Sequence, residues 1–125
     1  METKNKKKIL LVDDDQDFIY ALSVFLTKHE YEILVAYDAT YAIQHVANND
    51  LDLIVLDMGL PGGGGLFVLK NLRRIPKNLC IPIIVSTASV VPEIEKEAFS
   101  LGASDFINKP YELDVLLEKV KKLFS

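Results

Sequence analysis

The sequence contains one cysteine, Cys80, among its 125 residues. A single thiol excludes an internal disulfide and is typical of a reducing compartment, so we predict a cytoplasmic location and place Cys80 in the core. The chain also lacks any apolar run near the ~20 residues that span a membrane. Its basic start is not followed by the apolar segment of a secretory signal. We therefore expect neither membrane insertion nor export.

An excess of basic charge is also missing, because 14 basic residues stand against 18 acidic ones and the net charge is -4. This balance does not indicate a nucleic-acid-binding surface on the domain. The lysines of residues 1–7 are predicted to form a solvated tail, and residues 8–124 one domain. The two histidines, His29 and His45, have no second ligand at a suitable spacing, and they do not indicate a metal site.

Short apolar runs alternate with helical stripes along the whole chain. Five continuous runs predict strands buried on both faces, and five stripes with spacings of three and four residues predict helices. The third stripe includes Ile75 and is predicted to end before Pro76. The runs cover residues 9–12, 33–36, 53–56, 81–85 and 106–107, and the stripes begin at Phe18, Ala39, Leu69, Ile94 and Leu113. This (βα)5 pattern predicts an α/β fold, a parallel sheet covered by helices on both faces.

Polar residues follow four of the apolar runs, where function gathers in an open parallel sheet. If the first and third strands are neighbours, Asp13, Asp14 and Asp57 share one pocket. Carboxylates held together raise one another's pKa values, and a hard cation such as Mg²⁺ or Mn²⁺ removes that conflict. The residues after the runs are Asp13-Asp14-Asp15, Asp57, Ser86-Thr87 and Lys109. Asp15 is predicted to be a helix N-cap rather than a ligand.

An ammonium and a hydroxyl beside the acidic pocket would suit a phosphoryl group. Lys109 can bind an anion, and Thr87 can donate a hydrogen bond, although Thr87 could equally cap a turn and Ser86 competes for its role. Phosphoryl transfer needs mainly alignment and charge neutralisation. An aspartate such as Asp57 can act as the nucleophile and form an acyl phosphate.

These residues make the sequence resemble the receiver domain of two-component response regulators, from about Lys8 to Leu123. The motifs are the acidic pair Asp13-Asp14, "DLIVLDMGLPGGGG" with Asp57, "TA" at Thr87, and "DFINKPY" with Lys109. The resemblance implies a flavodoxin-like sheet with strand order 2-1-3-4-5. It also implies a regulatory phosphoacceptor that promotes only its own phosphorylation and dephosphorylation, not an enzyme.

The resemblance further implies a donor and a metal. Asp57 would accept a phosphoryl group from a sensor histidine kinase or a histidine phosphotransfer protein. Mg²⁺ would be held by Asp14, Asp57 and the backbone carbonyl of Gly59, with Asp13 acting through water. The domain would contact neither nucleic acid nor membrane, and the sequence does not identify its downstream target.

A switch is implied as well. Lys109 would pair with the acceptor carboxylate and then with a phosphoryl oxygen, and the peptide bond before Pro110 would be cis. Thr87 would move toward the phosphoryl group and Phe106 would turn inward. The surface formed by the fourth helix, fifth strand and fifth helix would change as a result.

Other functional interpretations of the sequence remain open beside this one. A receiver-like module that binds partners without phosphorylation would be expected to lack Asp57, Asp14 or Lys109, and all three are present. An Asp-nucleophile phosphatase would need Thr or Val where Asp17 stands. A flavin protein would need neutral donors in the first loop. The glycines of residues 62–65 predict a mobile loop, so that the third helix starts late or frays.

Overall fold

The five apolar runs form one parallel sheet. The computed structural model describes residues 5–78, 80–88 and 92–125, so residues 1–4 of the predicted tail lie outside it. The strands are β1 (Lys8–Val12), β2 (Glu32–Ala36), β3 (Leu53–Asp57), β4 (Ile83–Thr87) and β5 (Asp105–Asn108). Their order across the sheet is β2-β1-β3-β4-β5, which confirms the prediction.

In the described residues one helix follows each strand, and the five helices cover both faces of the sheet. They are α1 (Gln16–Lys28), α2 (Ala39–Asn48), α3 (Gly64–Arg73), α4 (Pro92–Ser100) and α5 (Leu113–Phe124), with 3₁₀ turns at Pro61–Gly63 and Pro76–Asn78. None of the helices in the described ranges is long and apolar enough to cross a membrane. The Asp15 carboxylate accepts a hydrogen bond from the Phe18 N–H at 3.1 Å, so the predicted N-cap of α1 is confirmed.

Alternating side chains of each strand build two separate cores. Ile9 and Leu11 of β1 pack with side chains of α1 and α5, including Leu22 and Leu116. Leu10 and Val12 face the other way and pack with side chains of α2, α3 and α4. The sheet is therefore buried on both faces, as the continuous apolar runs predict.

Arg73, at the end of α3, ties that helix to the turn after α4. Its guanidinium donates to three backbone carbonyls, those of Leu101 at 3.0 Å, Asn78 at 2.7 Å and Gly102 at 2.7 Å. Gly102 has φ +90°, a left-handed conformation that suits the glycine after a helix. Burial lowers the pKa of Arg73, and the Cys80 thiol partly offsets that shift.

Two predictions about the segment between α3 and β4 are wrong. Cys80 is exposed rather than buried, because β4 begins at Ile83 and Cys80 lies in the preceding loop. Pro82 has no N–H to donate to a sheet, which explains the later start of the strand. Ile75 is 38% exposed and lies beyond α3, which ends two residues earlier because the residue before Pro76 disfavours helical geometry.

Candidate functional site

The ends of β1 and β3 bring three acids together. Val12 and Leu56 are partners in the register of these neighbouring strands, so Asp13 and Asp57 emerge side by side. Carboxylate oxygens of Asp13, Asp14 and Asp57 all lie within 4.8 Å of one another. Asp13 is 3% and Asp57 4% exposed, whereas Asp14 faces solvent. The predicted acidic pocket is therefore present at the carboxyl end of the sheet.

Lys109 reaches this pocket from the end of β5. Its ammonium donates to Asp13 Oδ2 at 2.5 Å and to Asp57 Oδ2 at 3.4 Å. The Lys109 backbone N–H donates to the carbonyl of Thr87 at 2.8 Å, which anchors the residue to the end of β4. The peptide bond between Lys109 and Pro110 is cis, as the resemblance implies.

The pKa of Asp57 reflects several opposing influences. Burial raises it most, and the neighbouring charge of Asp13 adds to that rise. The backbone N–H of Gly59, 2.9 Å from Asp57 Oδ1, and the ammonium of Lys109 lower it. The net pKa is above the ordinary value, so a negative charge on this carboxylate is incompletely compensated by the protein alone.

Lys109 shows the complementary effect. Burial alone would lower the pKa of its ammonium, but the hydrogen bond and charge of Asp13, together with those of Asp57, outweigh burial and raise the pKa. Lys109 therefore keeps its positive charge beside the two buried carboxyl groups of Asp13 and Asp57. With one ammonium for three carboxylates, the cluster keeps an excess of negative charge.

The acidic cluster suits a hard divalent cation. All its donors are oxygens, and such ligands are the ones that Mg²⁺ prefers. Asp14 is exposed, which leaves solvent access for the several waters that Mg²⁺ usually retains. Within the described part of the chain, the Asp14 side chain takes part in no hydrogen bond or ion pair. The cluster thus offers a carboxylate that is available to a cation.

Comparison with known proteins identifies the family. The family model of the response regulator receiver domain matches residues 9–121. The chain belongs to this family. The receiver domain is 33% identical over 122 residues to the CAI-1 autoinducer sensor kinase/phosphatase CqsS of Vibrio cholerae, covering 95% of this chain and 18% of that protein. It is 30% identical over 116 residues to the response regulator ArlR of Staphylococcus saprophyticus, covering 93% of this chain and 51% of that protein.

Solved structures show the same architecture. The receiver domain matches the chemotaxis response regulator CheY4 of Vibrio cholerae with a TM-score of 0.88 and 26% identity, covering 95% of this chain and 99% of that one. It matches a two-component response regulator from Clostridium difficile with a TM-score of 0.88 and 31% identity, covering 95% of this chain and 96% of that one. By contrast, the chain spans about half the length, or less, of the curated relatives above.

The two hydroxyls at the end of β4 differ in position within the receiver domain. Ser86 is the register partner of Asp57, and strand alternation places Ser86 on the face of the sheet that packs with α1 and α5. Thr87 follows Val85 on the opposite face and is 3% exposed. Both hydroxyls therefore stay candidates for contacting a phosphoryl group.

Phe106 lies on the same face of the sheet as Thr87. It is the register partner of Val85, and both pack in the core beneath α2, α3 and α4. Its ring centroid lies 6.1 Å from that of Phe99 on α4, a residue that is 44% exposed. The ring thus connects β5 to the surface of α4.

Sequence reasoning missed two aromatic residues beside the acidic pocket. The helical stripe predicts only a core position for Phe18 on α1, and the sequence pattern assigns Tyr111 no role. The rings meet edge to face with centroids 5.4 Å apart, next to a pocket of about 290 Å³ that Lys109 also lines. Burial, followed by the charges of Asp13 and Asp57, raises the pKa of Tyr111. The position of Tyr111 two residues after Lys109 was the available signal.

Proposed function

We propose that this receiver domain is a phosphorylation-controlled signalling switch in which Asp57 is the phosphoacceptor. The observation that carries the proposal is the ammonium of Lys109 between Asp13 and Asp57, in a pocket whose third acid, Asp14, is exposed. A buried nucleophile beside a cation and a solvent-exposed carboxylate suits phosphoryl transfer, which needs mainly alignment and charge neutralisation. The domain is regulatory and turns over no separate substrate.

The proposed reaction moves one phosphoryl group from nitrogen to oxygen. A carboxylate oxygen of Asp57 attacks the phosphorus of a phosphohistidine on a sensor kinase or a histidine phosphotransfer protein. The new bond is P–O, the broken bond is P–N, and the leaving imidazole takes up a proton. Mg²⁺, held by Asp14, Asp57 and the backbone carbonyl of Gly59, with Asp13 through water, would offset the phosphoryl charge when bound.

Lys109 acts before and after this transfer. In the unmodified domain its ammonium compensates Asp13 and Asp57. A phosphoryl group adds about -1.5 to -2 charges and strong acceptor oxygens, and the ammonium then pairs with one of those oxygens. The hydroxyl of Thr87 supplies a further donor at the end of β4.

Movement of Thr87 toward the phosphoryl group gives Phe106 room to turn inward. The ring packs against Phe99 on α4, so its movement changes the surface formed by α4, β5 and α5. We propose that this surface controls a downstream partner or output domain, that the partner upstream is a histidine kinase or phosphotransfer protein, and that the domain works in the cytoplasm without binding nucleic acid itself. CqsS is named a sensor kinase/phosphatase and ArlR a response regulator, in keeping with such partners.

Incubation with acetyl phosphate, with and without Mg²⁺, tests the acceptor. We expect phosphorylation of the wild type only with Mg²⁺, none in Asp57→Ala, and normal phosphorylation in the control Asp17→Ala, an exposed acid in the first turn of α1. Mass spectrometry of the intact protein gives the readout. Equal modification of Asp57→Ala would refute the assignment. A wild type that stays unmodified would favour a phosphorylation-independent interaction module instead.

Two further variants separate the proposed roles around Asp57. Asp14→Ala should weaken Mg²⁺ binding strongly, because it removes a carboxylate from a cluster of three. Lys109→Ala should impair the conformational response more than Mg²⁺ binding, because the ammonium is not a metal ligand. Titration with Mg²⁺ and the spectrum of the beryllofluoride-bound protein measure the two effects. Equal loss of both in Lys109→Ala would contradict this division.

A further inference from the structure

The ammonium of Lys109 has a third neighbour besides the two acids. It lies over the ring of Phe18, 5.4 Å from the ring centroid, while it donates to Asp13 and Asp57. A cation over an aromatic face within about 6 Å is attracted by the ring quadrupole, and more strongly where water is partly excluded. Both side chains are partly buried here.

A closed series of contacts fixes Phe18 in this place. The backbone N–H of Asp15 donates to Asp13 Oδ1 at 2.9 Å, and the backbone N–H of Phe18 donates to Asp15 Oδ1 at 3.1 Å. The ring of Phe18 then meets Lys109, and Lys109 returns to Asp13. Tyr111 supports the ring from another side by its edge-to-face contact. The N-cap of α1 therefore sets where the ring stands relative to the acidic pocket.

We propose that Phe18 is a positioning residue that holds the ammonium of Lys109 at the acidic pocket through its aromatic face. A lysine side chain has many rotamers, and ordering it costs conformational entropy. A ring beside the ammonium restricts those rotamers without adding a charge that would compete for the phosphoryl group. The inference rests on the proposed roles of Asp57 and Lys109, and it adds a residue that holds the Lys109 ammonium beside Asp13 and Asp57.

A purely structural role for Phe18 makes a different prediction. Phe18 also packs against the core beneath α1 and α5, where any large apolar side chain would contribute. Phe25 is a matched control, because it belongs to the same helix, packs against the same core and has its ring beside His29 at 4.9 Å rather than beside Lys109. Phe18→Leu and Phe25→Leu should thus lose comparable packing while only one loses the cation–ring contact.

The experiment uses the full chain with four changes: Phe18→Leu, Phe18→Tyr, Phe25→Leu, and replacement of Phe18 by phenylalanines of increasing fluorination. Fluorine weakens the ring quadrupole while nearly preserving shape. The first readout is the NMR shift of the Lys109 ε-methylene protons in the unphosphorylated protein, which a nearby ring displaces. The second is the rate of phosphorylation by acetyl phosphate at saturating Mg²⁺, with the Mg²⁺ affinity measured in parallel.

We expect Phe18→Leu to move the Lys109 signals toward those of a free lysine and to slow phosphorylation by about three- to tenfold. Phe18→Tyr should retain most of the rate, the fluorinated series should slow it progressively, and Mg²⁺ affinity should change little. Phe25→Leu should keep the wild-type rate. A rate that does not respond to fluorination, or an equal loss in Phe25→Leu, would overturn the inference.

Failure of the proposed function would look different. In that case the wild type itself would not be phosphorylated at Asp57, but the Lys109 signals would still report the contact with Phe18. Signals that respond to Phe18→Leu and to fluorination would support the positioning contact even then. Signals that are the same in Phe18→Leu and the wild type would refute it, whatever the phosphorylation result.

Discussion

Gly65 is the residue whose replacement should most directly connect stability with the acidic pocket. A Cβ atom at this position would lie 2.6 Å from the backbone carbonyl oxygen of Asp57 and 2.6 Å from Met58 Cα. Ordinary contacts of a Cβ begin at 3.4 Å. Because the obstructing atoms are backbone, they cannot rotate aside as a side chain would. In Gly65→Ala, therefore, either α3 or the segment that carries Asp57 must move.

The size of the effect follows from that overlap. Relieving the contact needs a shift of about 0.8 Å, the difference between 3.4 and 2.6 Å. Inserting a methyl group into a packed site costs about 1–3 kcal/mol. The gain in helix propensity from glycine to alanine is at most ~1 kcal/mol. We therefore expect Gly65→Ala to lower the free energy of unfolding by about 1–2 kcal/mol and to weaken Mg²⁺ binding, because Asp57 is displaced.

The neighbouring glycines supply matched controls. Gly64 has φ -61° and a Cβ there would lie 3.2 Å from Leu60 Cβ, so Gly64→Ala requires a shift of only about 0.2 Å, the difference between 3.4 and 3.2 Å. Gly63 has φ +71° with open space around the missing Cβ, so Gly63→Ala should cost about 1 kcal/mol from backbone strain alone. Neither change should alter Mg²⁺ affinity appreciably.

Urea unfolding and Mg²⁺ titration of the three variants form the assay. The steric argument requires that only Gly65→Ala loses both stability and Mg²⁺ affinity. If Gly65→Ala were as stable as Gly64→Ala and bound Mg²⁺ like the wild type, the close packing of α3 against the end of β3 would be refuted.

Three other predictions follow from single contacts or groups. Arg73→Ala should lower the free energy of unfolding by about 2–3 kcal/mol in urea denaturation, because three charge-assisted hydrogen bonds are lost. Replacement of its exposed neighbour, Arg74→Ala, should change the free energy of unfolding by less than about 0.5 kcal/mol. Similar losses of stability in the two variants would contradict the anchoring role of Arg73. In metal-free buffer, Asp57→Asn should gain stability relative to the wild type as the pH rises from about 4. The folded-state pKa of Asp57 is raised, so the unfolded chain releases this proton first and the wild type loses stability as the pH rises. If the stability of Asp57→Asn relative to the wild type fell with rising pH, the direction of the pKa shift would be refuted. Ser86→Ala should alter the phosphorylation rate and Thr87→Ala the spectral response to beryllofluoride, since the two hydroxyls lie on opposite faces of the sheet; the same effect of both variants on both readouts would refute the separation.

The strands and the acidic pocket could be predicted because continuous apolar runs mark the strands, and the acids directly follow two of those runs. Burial on both faces requires continuous apolar residues, and the end of such a run fixes where Asp13 and Asp57 emerge. The segment around Cys80 could not be predicted in this way. Ile81 belongs to the fourth apolar run, but β4 begins only after Pro82, and Cys80 therefore lies in an exposed loop.

The contact between Phe18 and Lys109 illustrates a second limit. These residues are far apart in the chain, and the stripe of α1 predicts only that Phe18 faces the sheet. Its place above the ammonium depends on the N-cap at Asp15, whose own backbone is fixed by Asp13. Several local contacts must combine before the two side chains meet, and hydrophobic periodicity contains no information about that combination.

The two faces of the sheet separate the proposed chemistry from its proposed effect. Asp57 continues the alternation of Val55, which packs beneath α1 and α5, whereas Phe106 packs with Val85 beneath α2, α3 and α4. Under the proposed function, a phosphoryl group on Asp57 would act on Phe106 around the end of the sheet rather than through its core. The end of β4 is the place where this is physically possible, because Thr87 belongs to the face of Phe106 and its carbonyl holds the backbone of Lys109. A shift of Lys109 toward a phosphoryl group would pull on that hydrogen bond, so the cation that partly offsets the charge of the pocket is also attached to the strand that can transmit the change.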